Sequence, residues 1–170
     1  MKNTAHPMRL AIGTKAGTFS AAYSSSGLAE LSFPSALDTP CQAAAVPVSP
    51  EVAAWHALTA RAVHATLSGQ SPVLLPPLDL SAGSPFQQCV WRELQTLATG
   101  QTRSYGQIAA ALGRPKACRA VGSACAANPL PLLIPCHRVL AAGGRLGGFS
   151  GGMDWKRRLL QAEGMGARTA

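Results

Sequence analysis

The stretch QSPVLLPPLDLSAG, residues 70–83, divides the chain into two parts with different sequence patterns. Its prolines fix φ and remove backbone donors, so the stretch cannot form a regular helix. We predict an extended connector with a domain boundary near residue 80. An N-terminal support domain would cover residues 1–79, and a C-terminal domain would cover residues 80–170. At 170 residues the chain is long enough to bury a core.

The first part reads as strands followed by one helix. Residues 8–34 contain three short apolar or alternating runs separated by TKAG and SSSG, which predicts an antiparallel meander. A helix should follow, with Ser49 as N-cap, Pro50 at its first position and Gly69 beyond its end. The fold class we expect is α+β, with an N-terminal antiparallel sheet and a helix ahead of a mainly helical C-terminal domain.

The second part reads as short helices. SPFQQCVWRELQTLATG predicts a helix whose buried face carries Phe86, Cys89 or Val90, Leu94 and Leu97. In SYGQIAAALGRPKACRAVGSACAAN, Ser104 and Gln107 form a capping-box pattern, Gly113 can close one helix and Pro115 can start the next. Two short helices joined by a tight turn suggest a helix-turn-helix motif.

Charge is concentrated in the second part. Residues 81–170 hold eleven lysines and arginines but only three acidic residues, so the whole formal charge of +8 lies there. This asymmetry favours a polyanionic partner, although an excess of basic residues also serves solubility alone. In KACRAVGSACAA nearly every side chain is small apart from Lys116 and Arg119, which suits close approach to DNA or tight packing on another helix. The basic surroundings favour DNA.

Several classes of protein are disfavoured. No apolar run is long enough to span a bilayer, and the N-terminus is a poor signal peptide, so we expect a soluble cytoplasmic protein. Five cysteines without a C-x-x-C pair argue against a disulfide framework and a four-thiolate zinc site. We expect reduced thiols, four of them packed as small hydrophobes. Cys41 and His6 make a poor metal site, and we expect neither metal nor cofactor.

Cys136 and His137 are adjacent in LPLLIPCHRVL. A thiol must lose its proton to become a strong nucleophile, and a neighbouring base or positive charge assists this. If the segment is extended, His137 points away from Cys136 and reaches it only through a bend or a water. Glu163 is the candidate carboxylate to orient His137, because Glu93 and Asp154 occupy predicted surface positions. The alternative is a buried thiol beside a structural histidine.

The run RAVGSACAANPLPLLIPCHRVL, followed by GGFSGG and KRRLLQAEG, resembles the O6-alkylguanine-DNA alkyltransferases, which repair alkylated DNA and are consumed in doing so. SPFQQCVW and SYGQIA also match, and the resemblance covers residues 84–164 in the right order. It implies an RNase H-like N-terminal domain and a cofactor-free monomer. It also implies that the partner is double-stranded DNA carrying O6-alkylguanine, or alternatively O4-alkylthymine.

The resemblance also assigns roles to individual residues. Cys136 would accept the alkyl group, while His137, through a water, and Glu163 would hold the thiolate ready. Tyr105 would stabilise the departing guanine, and Asn128 would brace the active-site turn. Arg119 would fill the gap left when the base is flipped into the pocket. The other implied DNA-contacting residues are Lys116, Ala117, Gly122, Ser104 and Arg138, and the implied pocket residues are Pro131, Val139, Phe149, Ser150, Gly151 and Cys125.

Two positions depart from the family pattern. Many members have tyrosine where this chain has Phe149, so one hydroxyl is lost, and Cys125 replaces an often bulkier residue, which implies a roomier pocket. Two rival functions stay open at this point. One is an alkyltransferase-like protein that flags damaged bases and lacks the cysteine, and the other is a cysteine hydrolase, which needs an oxyanion hole and repeated turnover.

Overall fold

The computed structural model describes residues 8–35 and 47–166. The positions Cys41 and His6 lie outside these ranges. The described part combines two small sheets with five α-helices. In chain order the elements are β1 (Met8–Thr14), β2 (Gly17–Ser24), β3 (Gly27–Ser32), α1 (Pro50–Leu67), α2 (Pro85–Leu94), β4 (Arg103–Ser104), α3 (Tyr105–Ala111), α4 (Cys118–Ala126), β5 (Val139–Leu140) and α5 (Met153–Ala162).

The predicted meander is confirmed. β1, β2 and β3 form an antiparallel sheet in that order, with Ile12 opposite Phe19 in the register of the first pair. Alternate side chains of the sheet face the interior, and Phe19 is completely buried. Helix α1 lies against the sheet, where the Tyr23 hydroxyl donates a hydrogen bond to Thr59 Oγ1 at 3.0 Å.

The predicted caps Ser49 and Ser104 are confirmed, because capping depends on neighbouring residues alone, and the structure adds a third cap at Ser84. Ser49 Oγ accepts the Val52 N–H at 3.3 Å at the start of α1. Ser84 and Ser104 each form a complete capping box, with Gln87 and Gln107 respectively. Each of the three helices therefore begins where the sequence places its cap.

Two predictions for the helical part were wrong, namely the start of α4 and the packing of two thiols. Helix α4 begins at Cys118 rather than at Pro115, and residues 112–117 form the turn before it. Val90 faces the core, whereas Cys89 is exposed. Cys118 is also exposed, so these two thiols do not pack as small hydrophobes.

The connector between the two parts pairs with the sheet. The Leu28 N–H donates to the Pro77 carbonyl and the Asp79 N–H donates to the Leu28 carbonyl, both at 2.8 Å. One cluster of buried residues contains side chains from the sheet, such as Phe19, and from the helices, such as Leu94. The two parts of the chain therefore share a core. Among the described residues, no helix has the length and apolar character needed to cross a membrane.

Contacts between distant elements position the segment from Asn128 to Leu140. The Trp91 indole N–H on α2 donates to the Ala124 carbonyl of α4 at 2.8 Å. On the other side, the Leu31 N–H of β3 donates to the Pro129 carbonyl at 2.8 Å. Trp155 of α5 packs against Phe19 and Phe33, with ring centroids 5.5 and 5.0 Å away. The segment is thus held between α4, α5 and the sheet.

Candidate active site

Asn128 organises the chain that leads to Cys136. Its Oδ1 accepts the Leu130 N–H at 3.0 Å, which closes an Asx turn. Its Nδ2 donates to the Ile134 carbonyl at 2.9 Å and to Cys136 Sγ at 3.1 Å. One buried amide therefore shapes the turn and also contacts the thiol at its end.

Cys136, His137 and Arg138 form one turn of 3₁₀ helix, and this corrects the expectation of an extended segment. All ten residues from 131 to 140 are buried. The turn directs His137 into the protein, where its ring is fully buried and Nε2 lies 2.9 Å from Glu163 Oε1. The predicted contact between His137 and Glu163 is therefore present. His137 Nδ1 is also buried and has no hydrogen-bond partner among the described residues.

Arg138 does not lie on a DNA-accessible surface, contrary to prediction. Its side chain is 7% exposed and contacts Glu163 through Nε, at 3.1 Å from each carboxylate oxygen, and through Nη2 at 2.8 Å. The guanidinium also donates to the Leu97 carbonyl and to Thr99 Oγ1. The 3₁₀ turn directs the Arg138 side chain into the protein. Because the buried Glu163 carboxylate needs a cation, Arg138 acts as its internal partner.

The charge state of Glu163 follows from these contacts. Burial alone would raise the pKa of this carboxyl group, but hydrogen bonds from His137 and Arg138 outweigh burial and lower the pKa to about 2. The Gly100 N–H also donates to Oε2 at 3.1 Å. Glu163 is therefore an anion at neutral pH. It accepts a hydrogen bond from His137 Nε2–H, and so Nδ1 is the ring atom with a free lone pair.

Burial also dominates the protonation of the other two groups. It raises the pKa of Cys136 to about 11, although the Asn128 amide and the charge of Lys156 act in the opposite direction. It lowers the pKa of His137 below 6.5, against the effect of Glu163. The resting site thus holds a neutral thiol beside a neutral imidazole, which is an acid next to a base.

Lys156 is a buried cation that sequence reasoning missed. It lies on α5 and is fully buried, with Nζ donating to the Val139 carbonyl at 2.7 Å and to the Gly148 carbonyl at 3.4 Å. Burial lowers its pKa to about 8. Lys156 joins the active-site turn to the glycine-rich loop. The missed signal was its spacing four residues before Leu160, which places both residues on the buried face of the helix.

A cavity of about 370 Å³ opens beside Cys136, within the size range of small-molecule sites. Its lining consists of Tyr105, Gly122, Cys125, Ala126, Cys136, Gly148, Phe149 and Ser150. Of the predicted pocket residues, Cys125, Phe149 and Ser150 are present in this lining. Pro131, Val139 and Gly151 are not.

The three absent residues are buried or half-buried. Val139 is completely buried and Pro131 is buried in the same segment. At Gly151, an added Cβ would collide with the ring of Phe33, a residue that follows β3. Phe33 also packs edge-on against Phe149, with ring centroids 5.7 Å apart. The first part of the chain therefore supports the pocket wall from behind.

The residues predicted to contact DNA, other than Arg138, lie on or near α4. Lys116 and Arg119 are exposed, whereas Ala117 is half-buried. Gly122 reaches the cavity wall, where a Cβ would lie 3.9 Å from the Tyr105 ring. Ser104 is half-buried, and its hydroxyl caps α3 by accepting the Gln107 N–H at 3.1 Å. Arg119 on α4 and Lys116 in the turn before it are therefore exposed next to a helix that also lines the cavity.

Comparison with known proteins was made for both sequence and structure. The family model for the 6-O-methylguanine DNA methyltransferase DNA-binding domain matches residues 85–165. The crystal structure of Mycobacterium tuberculosis OGT in complex with DNA is similar over 94% of this chain and 92% of that chain, with 35% identity and a TM-score of 0.73. The chain belongs to the O6-alkylguanine-DNA alkyltransferase family.

Curated alkyltransferase relatives match shorter stretches at higher identity. A methylated-DNA–protein-cysteine methyltransferase of Mycolicibacterium paratuberculosis is 55% identical over 86 residues, 51% of this chain and 52% of that protein. The bifunctional transcriptional activator and DNA repair enzyme Ada of Escherichia coli is 50% identical over 103 residues, 61% of this chain and 29% of that protein. The chain thus spans about half or less of the length of these relatives. The alkyltransferase fold, by contrast, is shared over nearly the whole described chain.

Proposed function

We propose that this chain repairs DNA by moving the alkyl group of O6-alkylguanine in duplex DNA onto Sγ of its own Cys136. The observation that carries the proposal is the position of Cys136. It lies on a cavity large enough for a base, with His137 and Glu163 in sequence behind it. The names of the matching relatives, methylated-DNA–protein-cysteine methyltransferases, support the same chemistry.

The thiol is activated from the buried side. Glu163 accepts a hydrogen bond from His137 Nε2–H, so Nδ1 has the lone pair that receives the Cys136 proton, relayed through a water. Asn128 Nδ2 donates to the resulting thiolate at 3.1 Å, and the nearby charge of Lys156 favours it. Since burial raises the pKa of Cys136, these partners are needed to reach the thiolate at all.

The transfer step forms one bond and breaks one bond. Cys136 Sγ attacks the alkyl carbon, the carbon–O6 bond breaks, and its electron pair moves onto O6 and the purine ring. The Tyr105 hydroxyl donates a proton or hydrogen bond to the departing guanine, and Ser150 hydrogen-bonds the base. The product is a thioether, which has no good leaving group. Each molecule therefore reacts once and needs no cofactor.

Duplex DNA is the substrate form that the outer surface supports. A stacked base hides its O6 substituent, so the base must be flipped out at a cost of a few kcal/mol. Helix α4, acting as the second helix of a helix-turn-helix formed with α3, enters the minor groove, and Arg119 fills the gap in the stack. Lys116, Ala117, Gly122 and Ser104 lie close to the phosphate backbone. The M. tuberculosis protein was crystallised in complex with DNA, which supports DNA as the partner.

The first part of the chain has a supporting role in this proposal. Residues 1–79 act as an RNase H-like support domain and residues 80–170 as the DNA-binding and acceptor domain of a cytoplasmic monomer. The contact between Phe33 and Phe149 supports this division of labour. O4-alkylthymine is an alternative lesion for the same pocket.

Intact-protein mass spectrometry tests the proposal directly. After mixing with one equivalent of O6-methylguanine duplex, the chain should gain one methyl group, and peptide mapping should place it on Cys136. Cys136→Ala should bind the same duplex without gaining mass. A chain that gains no methyl group at stoichiometric DNA would contradict the proposal.

The two rival functions give different results. A protein that only flags damage lacks the acceptor cysteine, whereas Cys136 is present here and lines the cavity, so this role is not favoured. A cysteine hydrolase would show a burst and then a steady rate under excess substrate. The proposed reaction stops after one equivalent.

A further inference from the structure

Cys125 is a buried thiol that the proposed transfer reaction does not use. It belongs to α4, is 7% exposed, and lines the same cavity as Cys136. The other cysteines of the described chain, Cys89 and Cys118, are exposed and do not line the cavity. Two thiols from different elements therefore share one enclosed space.

Asn128 connects the two cysteines. Its backbone N–H donates to the Cys125 carbonyl at 3.3 Å, and its side-chain Nδ2 donates to Cys136 Sγ at 3.1 Å. The end of α4 and the active-site turn are thus held together by a single residue. The two thiols are also close enough for the charge of Cys136 to raise the pKa of Cys125.

We propose that Cys125 is a resolving cysteine, which forms a disulfide with Cys136 after a hydroperoxide has oxidised Cys136. The Cys136 thiolate attacks one peroxide oxygen, the O–O bond breaks, and hydroxide leaves, so that Cys136 becomes a sulfenic acid. The Cys125 sulfur then attacks the Cys136 sulfur, and the S–OH oxygen leaves as water. Overall, two thiols and one hydrogen peroxide give one disulfide and two waters.

The surroundings favour this order of events. Burial raises the pKa of both thiols, to about 11 at Cys136 and to about 12 at Cys125. The Asn128 amide acts against burial at Cys136, whereas the charge of Cys136 raises the pKa of Cys125 further. Cys136 is therefore oxidised first, and Cys125 reacts afterwards. The disulfide carries no charge, which suits a cavity walled partly by Ala126 and Phe149.

The disulfide protects the sulfur of Cys136. A sulfenic acid that condenses with a thiol is recoverable, whereas further oxidation to the sulfinic acid is irreversible in most proteins. Reduction by a dithiol would return Cys136 to its free form. The benefit to DNA repair rests on the proposed alkyl transfer, but disulfide formation itself does not.

Treatment of the full chain with hydrogen peroxide, followed by peptide mapping, tests the proposal. The wild-type chain should lose two hydrogens and yield a peptide joined through Cys125 and Cys136, and dithiothreitol should reverse the change. Cys125→Ser should accumulate sulfinic acid on Cys136, which dithiothreitol cannot reverse. Cys89→Ser changes an exposed thiol outside the cavity and should behave as the wild type.

Three outcomes would overturn the proposal. They are a disulfide that joins Cys136 to Cys41, Cys89 or Cys118, equal rates of sulfinic acid formation in the wild type and Cys125→Ser, and no disulfide at all. Methyl transfer to the reduced chain is measured separately. A chain that forms the disulfide but accepts no methyl group would refute the proposed function, while the proposed role of Cys125 would still be supported.

Discussion

The two sides of Cys136 differ in how their charges are held. Behind it, the side chains of Arg138, Glu163 and Lys156 are buried, and each makes hydrogen bonds to protein groups. In front of it, Arg119 on α4 and Lys116 in the turn before α4 are exposed. A buried ion that loses its partner is costly, whereas an exposed ion loses little because water solvates it. The inner charges should therefore govern stability and proton transfer, and the outer charges should govern encounter with DNA.

The largest effect is expected from Arg138→Met. This change leaves Glu163 buried without its cation and should lower the free energy of unfolding by about 3 to 5 kcal/mol at neutral pH. Urea unfolding measures it. The double variant Arg138→Met, Glu163→Gln removes both charges and should recover part of the loss. If the single and double variants lose the same free energy of unfolding, the pairing of Arg138 with Glu163 does not stabilise the fold.

The contacts of Glu163 with Arg138 and His137 should also make the free energy of unfolding depend on pH. The pKa of Glu163 is about 2 in the folded chain and 4.5 ordinarily, so its stabilisation is complete above pH 4.5 and is lost as pH falls towards 2. The size of this contribution is about 3 kcal/mol. In Glu163→Gln, the free energy of unfolding should change less than in the wild type between pH 4.5 and pH 2.

Glu30→Gln is the matched control for this experiment. It removes the carboxylate of a pair with Arg9 whose side chains are 44% and 43% exposed. The acid limb of the stability curve should change little. An equal change in Glu30→Gln and Glu163→Gln would show that burial is not what separates the two pairs.

Lys156→Met should separate stability from chemistry. Burial lowers the Lys156 pKa, so the charged form destabilises the fold, and a methionine of similar shape should be tolerated at neutral pH. The thiolate of Cys136 loses a favourable charge, and the single-turnover rate of methyl transfer should fall by about tenfold. An unchanged rate would mean that Lys156 only tethers the loop at Gly148.

The smallest effects on stability are expected on the outer face. Arg119→Ala should change the free energy of unfolding by less than about 0.5 kcal/mol, yet slow repair of a duplex more than repair of a single strand. Lys116→Gln should reduce the salt dependence of DNA binding by about one phosphate contact. An Arg119 variant that repaired duplex as fast as the wild type would remove its proposed role in the stack.

The sequence predicted best those features that depend on neighbouring residues. The serine caps and the meander are features of this kind. The pairing of Glu163 with His137, 26 residues away, was anticipated for a different reason, because the second part of the chain has only three acidic residues. Arg138 was misplaced because its direction is set by a 3₁₀ turn and by the Leu97 carbonyl, 41 residues away. Lys156 was missed because a lysine is rarely buried and its partners are carbonyl groups, which any sequence supplies.

The ring of Phe33 pressed against Gly151 and Phe149 makes the pocket a joint product of segments more than a hundred residues apart. Consider a chimaera that keeps residues 80–170 and takes β1, β2 and β3 from a distant homologue. It would retain Cys136, but the shape of the cavity beside Cys136 would change. Tolerance for bulky adducts should then change without any edit to the residues that meet the base. Under the proposed function, a substitution at Phe33, which does not line the cavity, should thus change which adducts the pocket accepts.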